Sequence, residues 1–137
     1  MSDVDQEFLQ NTFRVCPFHK HLDLELVVIG RGKVEVIAYY RPELDQAAGT
    51  LHSSVFAAAL DASTYYAALS YYGPTGRLPL TQEYKLNLLS PARQENICAV
   101  AEVLKAGRTV AVAQSKIFAA SGKLVAAGMA SFMIPQA

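Results

Sequence analysis

Charge is scarce in this chain, cysteine nearly so, and tryptophan is absent. Asp, Glu, Lys and Arg make up 18% of the 137 residues, below the roughly one quarter of ordinary soluble domains. Lys plus Arg is 12 and Asp plus Glu is 12, so the formal net charge is zero. A nucleic-acid binder carries a basic excess, and none is present. The two cysteines, Cys16 and Cys98, have no CxxC spacing. His19 and His21 lie near Cys16, but a structural zinc site needs about four closely spaced ligands. No metal is expected, and the thiols are expected to stay free in a reduced cytoplasm. The longest apolar run, Val55 to Leu60, is far too short for a membrane helix. The first residues, Met-Ser-Asp-Val-Asp-Gln, are acidic and polar, unlike a secretory leader. These features predict a cytoplasmic protein that binds neither membrane nor nucleic acid.

Apolar residues are abundant, at 52%. One domain spanning residues 1–137 can bury a core without staples. So polar-poor a chain has apolar surface left over, and a subunit interface is the usual place for it.

The patterning predicts a helix over Ser2 to Arg14. Ser2 is its candidate cap, Asp3 and Asp5 fall in its first turn, and Pro17 ends it. Two strands follow, Leu22 to Ile29 and Val34 to Tyr40, around a turn at Arg31-Gly32. Arg41 to Thr50 is loop. Leu51 to Tyr72 contains neither Gly nor Pro and is rich in Ala, the best helix former. It is apolar on nearly every side, so it predicts one long buried helix. The period then becomes two. Leu78, Leu80, Gln82, Tyr84, Leu86 and Leu88 share one parity, up to Pro91. Strands at Ile97 to Leu104, Thr109 to Phe118 and Leu124 to Met133 are separated by tight turns, so they are antiparallel neighbours. A sheet of about six strands can cover a buried helix only by curving around it. The expected class is α+β, a hotdog fold: a curved antiparallel sheet around one long helix, with a short N-terminal helix.

Asp61 stands out within the long helix. It follows six apolar residues, and Asp is rarely fully buried without a partner. It either pairs structurally at a wet subunit seam or does chemistry. Tyr65, Tyr66, Tyr71 and Tyr72 read first as packing, and otherwise as the aromatic lining of a pocket.

Gly49-Thr50-Leu51-His52-Ser53-Ser54, with Asp61 nine residues after the His, resembles the hotdog thioesterases of the phenylacetate-degradation and 4-hydroxybenzoyl-CoA type. Lys85 to Ala92, Lys105-Ala106-Gly107-Arg108-Thr109 and Gly122 to Ala126 resemble later segments of the same family, so the likeness runs from about Leu22 to Ile134. It implies an acyl-CoA thioesterase with Asp61 as catalytic carboxylate. Gln46 would orient water or the substrate carbonyl. The Ser53 N–H at the helix start, marked by His52, would polarise the thioester oxygen. Thr81 would assist the acid, or a hydroxyl one turn later, at Thr64 or Tyr65, would do so. Ser54 would border the substrate, and Lys105 and Arg108 would attract the CoA phosphates. The family also implies a homodimer or dimer of dimers, with Gln46 and Ser53 of one subunit meeting Asp61 of the other. It implies no cofactor beyond the CoA of the substrate, or an acyl carrier in its place.

The chemistry suits these residue types. A thioester under attack gathers negative charge on its oxygen, and free amides at a helix N-terminus stabilise that charge. A carboxylate serves as base for water or as nucleophile. The family motif has two glycines after the His where this chain has Ser53 and Ser54. That difference keeps a second reading open, a non-catalytic acyl-CoA or small-ligand binder on the same fold. A hotdog dehydratase is a distant third, since no His-Phe-Pro segment occurs.

Overall fold

The structure, a computed structural model, describes residues 4–136. Helix α1 is Gln6–Val15. Its cap is Asp5, whose Oδ1 accepts from the Phe8 amide at 2.9 Å, so Asp5 precedes the first turn instead of belonging to it. Ser2, the expected cap, and Asp3 lie outside the described residues. Leu9 and Phe13, one helical turn apart, are the buried face.

As expected, Pro17 ends the first helix, α1. It opens a second short helix, α2, Pro17–His21. Proline lacks an N–H, which the first turn of a helix does not use, and its fixed φ suits that position. The chain bends at Cys16, and α2 starts afresh.

Strands β1, Leu24–Gly30, and β2, Lys33–Ala38, form the first hairpin. Its turn needs Gly32, at φ +78°, and is pinned from both sides. The Gly32 amide donates to the buried Ser70 hydroxyl at 2.7 Å, and its carbonyl accepts from Val103 at 2.8 Å. The following segment contains one 3₁₀ turn, Pro42–Leu44, then a bridge between Asp45 and Leu51. That bridge takes Leu51 out of the long helix. Helix α3 runs Ser53–Tyr72, with His52 as its cap.

Strands β3 (Leu80–Leu88), β4 (Ile97–Ala106), β5 (Val110–Ala119) and β6 (Leu124–Met133) complete one six-stranded sheet in the order β1-β2-β4-β5-β6-β3. Every pairing is antiparallel. The face against α3 is lined by small residues, among them Ala99, Ala101, Ala111, Ala113 and Ala130. The helix answers with Ala59, Ala67 and Ala68. Small side chains on both surfaces let the sheet close in on the helix. Where they meet, Ser63 and Ser115 share a buried hydrogen bond of 2.9 Å. Buried hydroxyls need such a partner.

The parity expected for β3 breaks at a bulge. Thr81 pairs with Phe132, but Glu83, not Gln82, pairs with Ser131. Residues opposite one another share a sheet face. Thr81 therefore lies on the inner face with Phe132, and so do Tyr84, Leu86 and Leu88, opposite Ala130, Gly128 and Ala126. Leu80 points the other way. The bulge re-aims Thr81.

Helix α3 is not buried all round. Ser54, Ala58, Asp61 and Tyr65 form a stripe at helical spacing that stays exposed or half-exposed. The sheet leaves this stripe open. Helices α1 and α2, which pack beside β1 and α3, wall part of it.

Candidate active site

Of the hollows along α3, two hold most of the residues singled out in the sequence. The first, of about 370 Å³, is walled by Thr12, Val15, Cys16, Phe18 and His19 from the N-terminal helices and floored by Ala58, Asp61, Ala62, Tyr65 and Tyr66. The second, of about 400 Å³, surrounds the start of α3, with Gln46, His52, Ser53 and Phe56 facing Leu88 to Pro91.

In the first hollow Asp61 is partly buried, and burial raises its pKa above the ordinary carboxylate value. Two influences oppose this: a hydrogen bond from Thr81 and the nearby charge of His19. Thr81 Oγ1 donates to Asp61 Oδ1 at 3.0 Å, which favours the ionised acid. The β3 bulge makes that bond reachable. Tyr65 stands one turn on, its phenol pushed up by burial and by the Asp61 charge. Its ring meets Tyr66 and Phe132 edge-on at 5.3 and 5.8 Å. Thr64 faces away from the hollow. It is fully buried, and its hydroxyl donates to the Leu60 carbonyl at 2.8 Å.

His19 is the neighbour that sequence reasoning did not connect to Asp61. Its ring stacks on Phe13 at 4.1 Å and meets Tyr66 edge-on at 5.8 Å. Nδ1 lies 3.1 Å from the Phe13 carbonyl. A carbonyl can only accept, so Nδ1 carries the hydrogen and Nε2 the lone pair of the neutral ring. Burial lowers the His19 pKa. No local motif joins residues 19 and 61. Only the unexpected α2 brings them together.

In the second hollow His52 caps α3, its Nδ1 accepting from the Ser54 amide at 3.0 Å. Ser53 is the first helical residue and is exposed. Its amide has no acceptor among the described residues, as expected for the first turn. Gln46 is committed to its own loop. Its Oε1 accepts from the Ala48 amide at 2.7 Å, and its Nε2 donates to Thr50 Oγ1.

Ser53 and Asp61 are eight residues apart on one helix, about 12 Å at 1.5 Å per residue. Lys105 and Arg108 are farther off, exposed beside the β4–β5 turn at the other end of α3. Tyr72 holds that turn by donating to the Gly107 carbonyl at 2.7 Å. One chain therefore joins Asp61, Thr81 and Tyr65 in one place, Gln46, His52 and Ser53 in a second, and Lys105 and Arg108 in a third, while Ser54 lines a separate hollow with Phe18 and His21. Among the described residues no three His, Cys, Asp or Glu side chains converge as a metal-ligand set, and no helix is long and apolar enough to cross a membrane.

The family model described as "Thioesterase superfamily" matches residues 48–126. The "Putative esterase" of Saccharolobus solfataricus is 30% identical over 115 residues, covering 84% of this chain and 81% of that protein. A thioesterase family protein from Silicibacter pomeroyi superposes with a TM-score of 0.88 at 30% identity, covering 96% of this chain and 98% of the other. The protein of the phenylacetic acid degradation operon of E. coli has a TM-score of 0.86 at 16% identity, with 95% and 92% covered. At that identity the likeness concerns the fold. The match includes the start of α3, Asp61 and the strand that carries Thr81, and the chain belongs to the thioesterase superfamily, with its hotdog fold.

Proposed function

We propose that the chain hydrolyses an acyl-CoA thioester at a site built from two subunits. The observation that carries this reading is the separation of Ser53 from Asp61. A base and an oxyanion donor must each come within about 3 Å of the reacting groups. Two turns of helix between them forbid that within one chain. A second copy supplies the missing half, and β3, an edge strand with Leu80, Tyr84 and Leu88 exposed, offers the surface to receive it.

The reaction then runs as follows. Asp61, held by Thr81, takes a proton from water as the water oxygen attacks the thioester carbon. Negative charge gathers on the carbonyl oxygen and is met by the Ser53 N–H of the partner subunit, helped by the α3 dipole. The C–S bond breaks, and the CoA thiolate receives the proton from Asp61. Gln46 braces the loop ahead of the amide, and Ser54 and Tyr65 border the substrate. Lys105 and Arg108 attract phosphates of the nucleotide. No further cofactor takes part.

The test uses two inactive variants. Ser53→Pro removes the amide hydrogen at a helix position that tolerates proline, and His52, at φ −63° and ψ 139°, already has the conformation a following proline requires. Asp61→Asn removes the base. Each is expected to lose at least about a hundredfold in kcat. Refolded together, they form mixed dimers in which one site regains both groups, restoring roughly a quarter of wild-type activity. Mixed dimers that stay inactive would sink the shared site. Wild-type protein that binds acyl-CoA but hydrolyses none of a panel would favour the ligand-binder reading, for which the two serines at the helix start speak.

A further inference from the structure

We infer that the 370 Å³ hollow between the N-terminal helices and α3 holds the acyl group, and that Val15, Cys16 and Phe18 set its permitted length. The inference rests on the thioesterase reading for the reaction at Asp61. The floor of the hollow carries the carboxylate, so whatever enters presents its reacting end there. The wall opposite is apolar, with Val15, Cys16 and Phe18 beside the His19 ring.

Exposure marks the same place. Val15, at 69%, and Phe18, at 56%, are the most exposed large apolar side chains among the described residues. Leu89 and Leu88 follow at 55% and 53%, and they line the other hollow. An acyl chain would cover Val15 and Phe18. Each Å² of apolar surface covered in this way contributes about 25 cal/mol.

The volume lies near the low end of ligand pockets, which run from roughly 300 to 1,000 Å³. It fits a short or medium acyl group better than a full-length fatty acyl chain. The wall also lies outside residues 48–126, the part shared with the family model. The floor lies within that matched segment, and the wall lies ahead of it. Selectivity therefore resides in α1 and α2.

Val15→Trp and Phe18→Ala test this from opposite sides. Both positions are exposed, so folding should survive, and circular dichroism with melting temperature checks that it does. The measured quantity is kcat/KM for octanoyl-CoA divided by that for butyryl-CoA. Val15→Trp should lower this ratio about tenfold, and Phe18→Ala should raise it. Two folded variants with the wild-type ratio would overturn the inference.

A second measurement does not need turnover. In a Cys98→Ser background, Cys16 is alkylated with iodoacetamide in the presence of CoA or the non-hydrolysable S-(2-oxooctyl)-CoA. The acyl analogue should slow alkylation several-fold, and CoA alone should not. If the analogue binds without shielding Cys16, the pocket assignment fails even where hydrolysis is intact. If it shields Cys16 while no thioester is hydrolysed, the pocket stands and the proposed activity falls.

Discussion

Asp61 ties catalysis to stability through one proton. Burial raises its pKa, so between the ordinary carboxylate pKa and the raised one the folded chain binds more protons than the unfolded chain. Stability therefore falls as pH rises through that window. Asp61→Asn keeps the shape and removes the charge, so its melting temperature should exceed that of the wild type at pH 8, and the gap should narrow at pH 4. Scanning calorimetry at the two pH values checks this. The Thr81 hydrogen bond acts in the opposite direction on the same acid. Thr81→Ala should move the acid limb of kcat/KM to higher pH, and Thr81→Ser should restore it. Asp61 was legible in the sequence because a carboxylate after six apolar helical residues needs a reason to be there. His19 was not. Its tie to Asp61 depends on where α2 packs, and α2 opens on a proline that in the sequence reads as a stop.

At the level of elements, the contact of β3 with β6 and α3 is the tightest fit. A Cβ on Gly128 would run into the Lys85 carbonyl and come within 3.1 Å of Leu60 Cδ1. The first obstacle is backbone and cannot turn aside. Gly128→Ala should thus cost about 1–3 kcal/mol, seen as a lower urea midpoint with an unchanged slope. Ser70→Ala should cost a similar amount, about 1–3 kcal/mol, by leaving the buried Gly32 amide without its acceptor. The element order was readable because an Ala-rich run without Gly or Pro gives way, after Gly73, to a hydrophobic period of two. The bulge in β3 was not. One extra residue at Gln82 leaves the alternation in the sequence intact while it reverses which side chains face the helix, and only pairing with β6 reveals it.

The whole molecule is a covered helix with one open stripe. The overall fold was legible because a helix apolar nearly all round demands a sheet that wraps it. The proposed division of the site between two subunits came from family resemblance, since no pattern along one chain indicates that a second must complete it. Tyr84 is 45% exposed on the inner face of β3. Tyr84→Asp should shift sedimentation toward monomer and lower activity in parallel, with both recovering together at high protein concentration.

The strand order also fixes when the helix is sheltered. Helix α3 leaves the ribosome about 60 residues before β6 is complete. At roughly 5–20 residues per second, that is a wait of several seconds. Until β4 is made, this largely apolar segment has only the β1–β2 hairpin and the N-terminal helices to lean on. β3 cannot dock in its own chain until β6, the last strand made, arrives beside it. Nascent chains halted near residue 95 should thus be the species most readily held by chaperones.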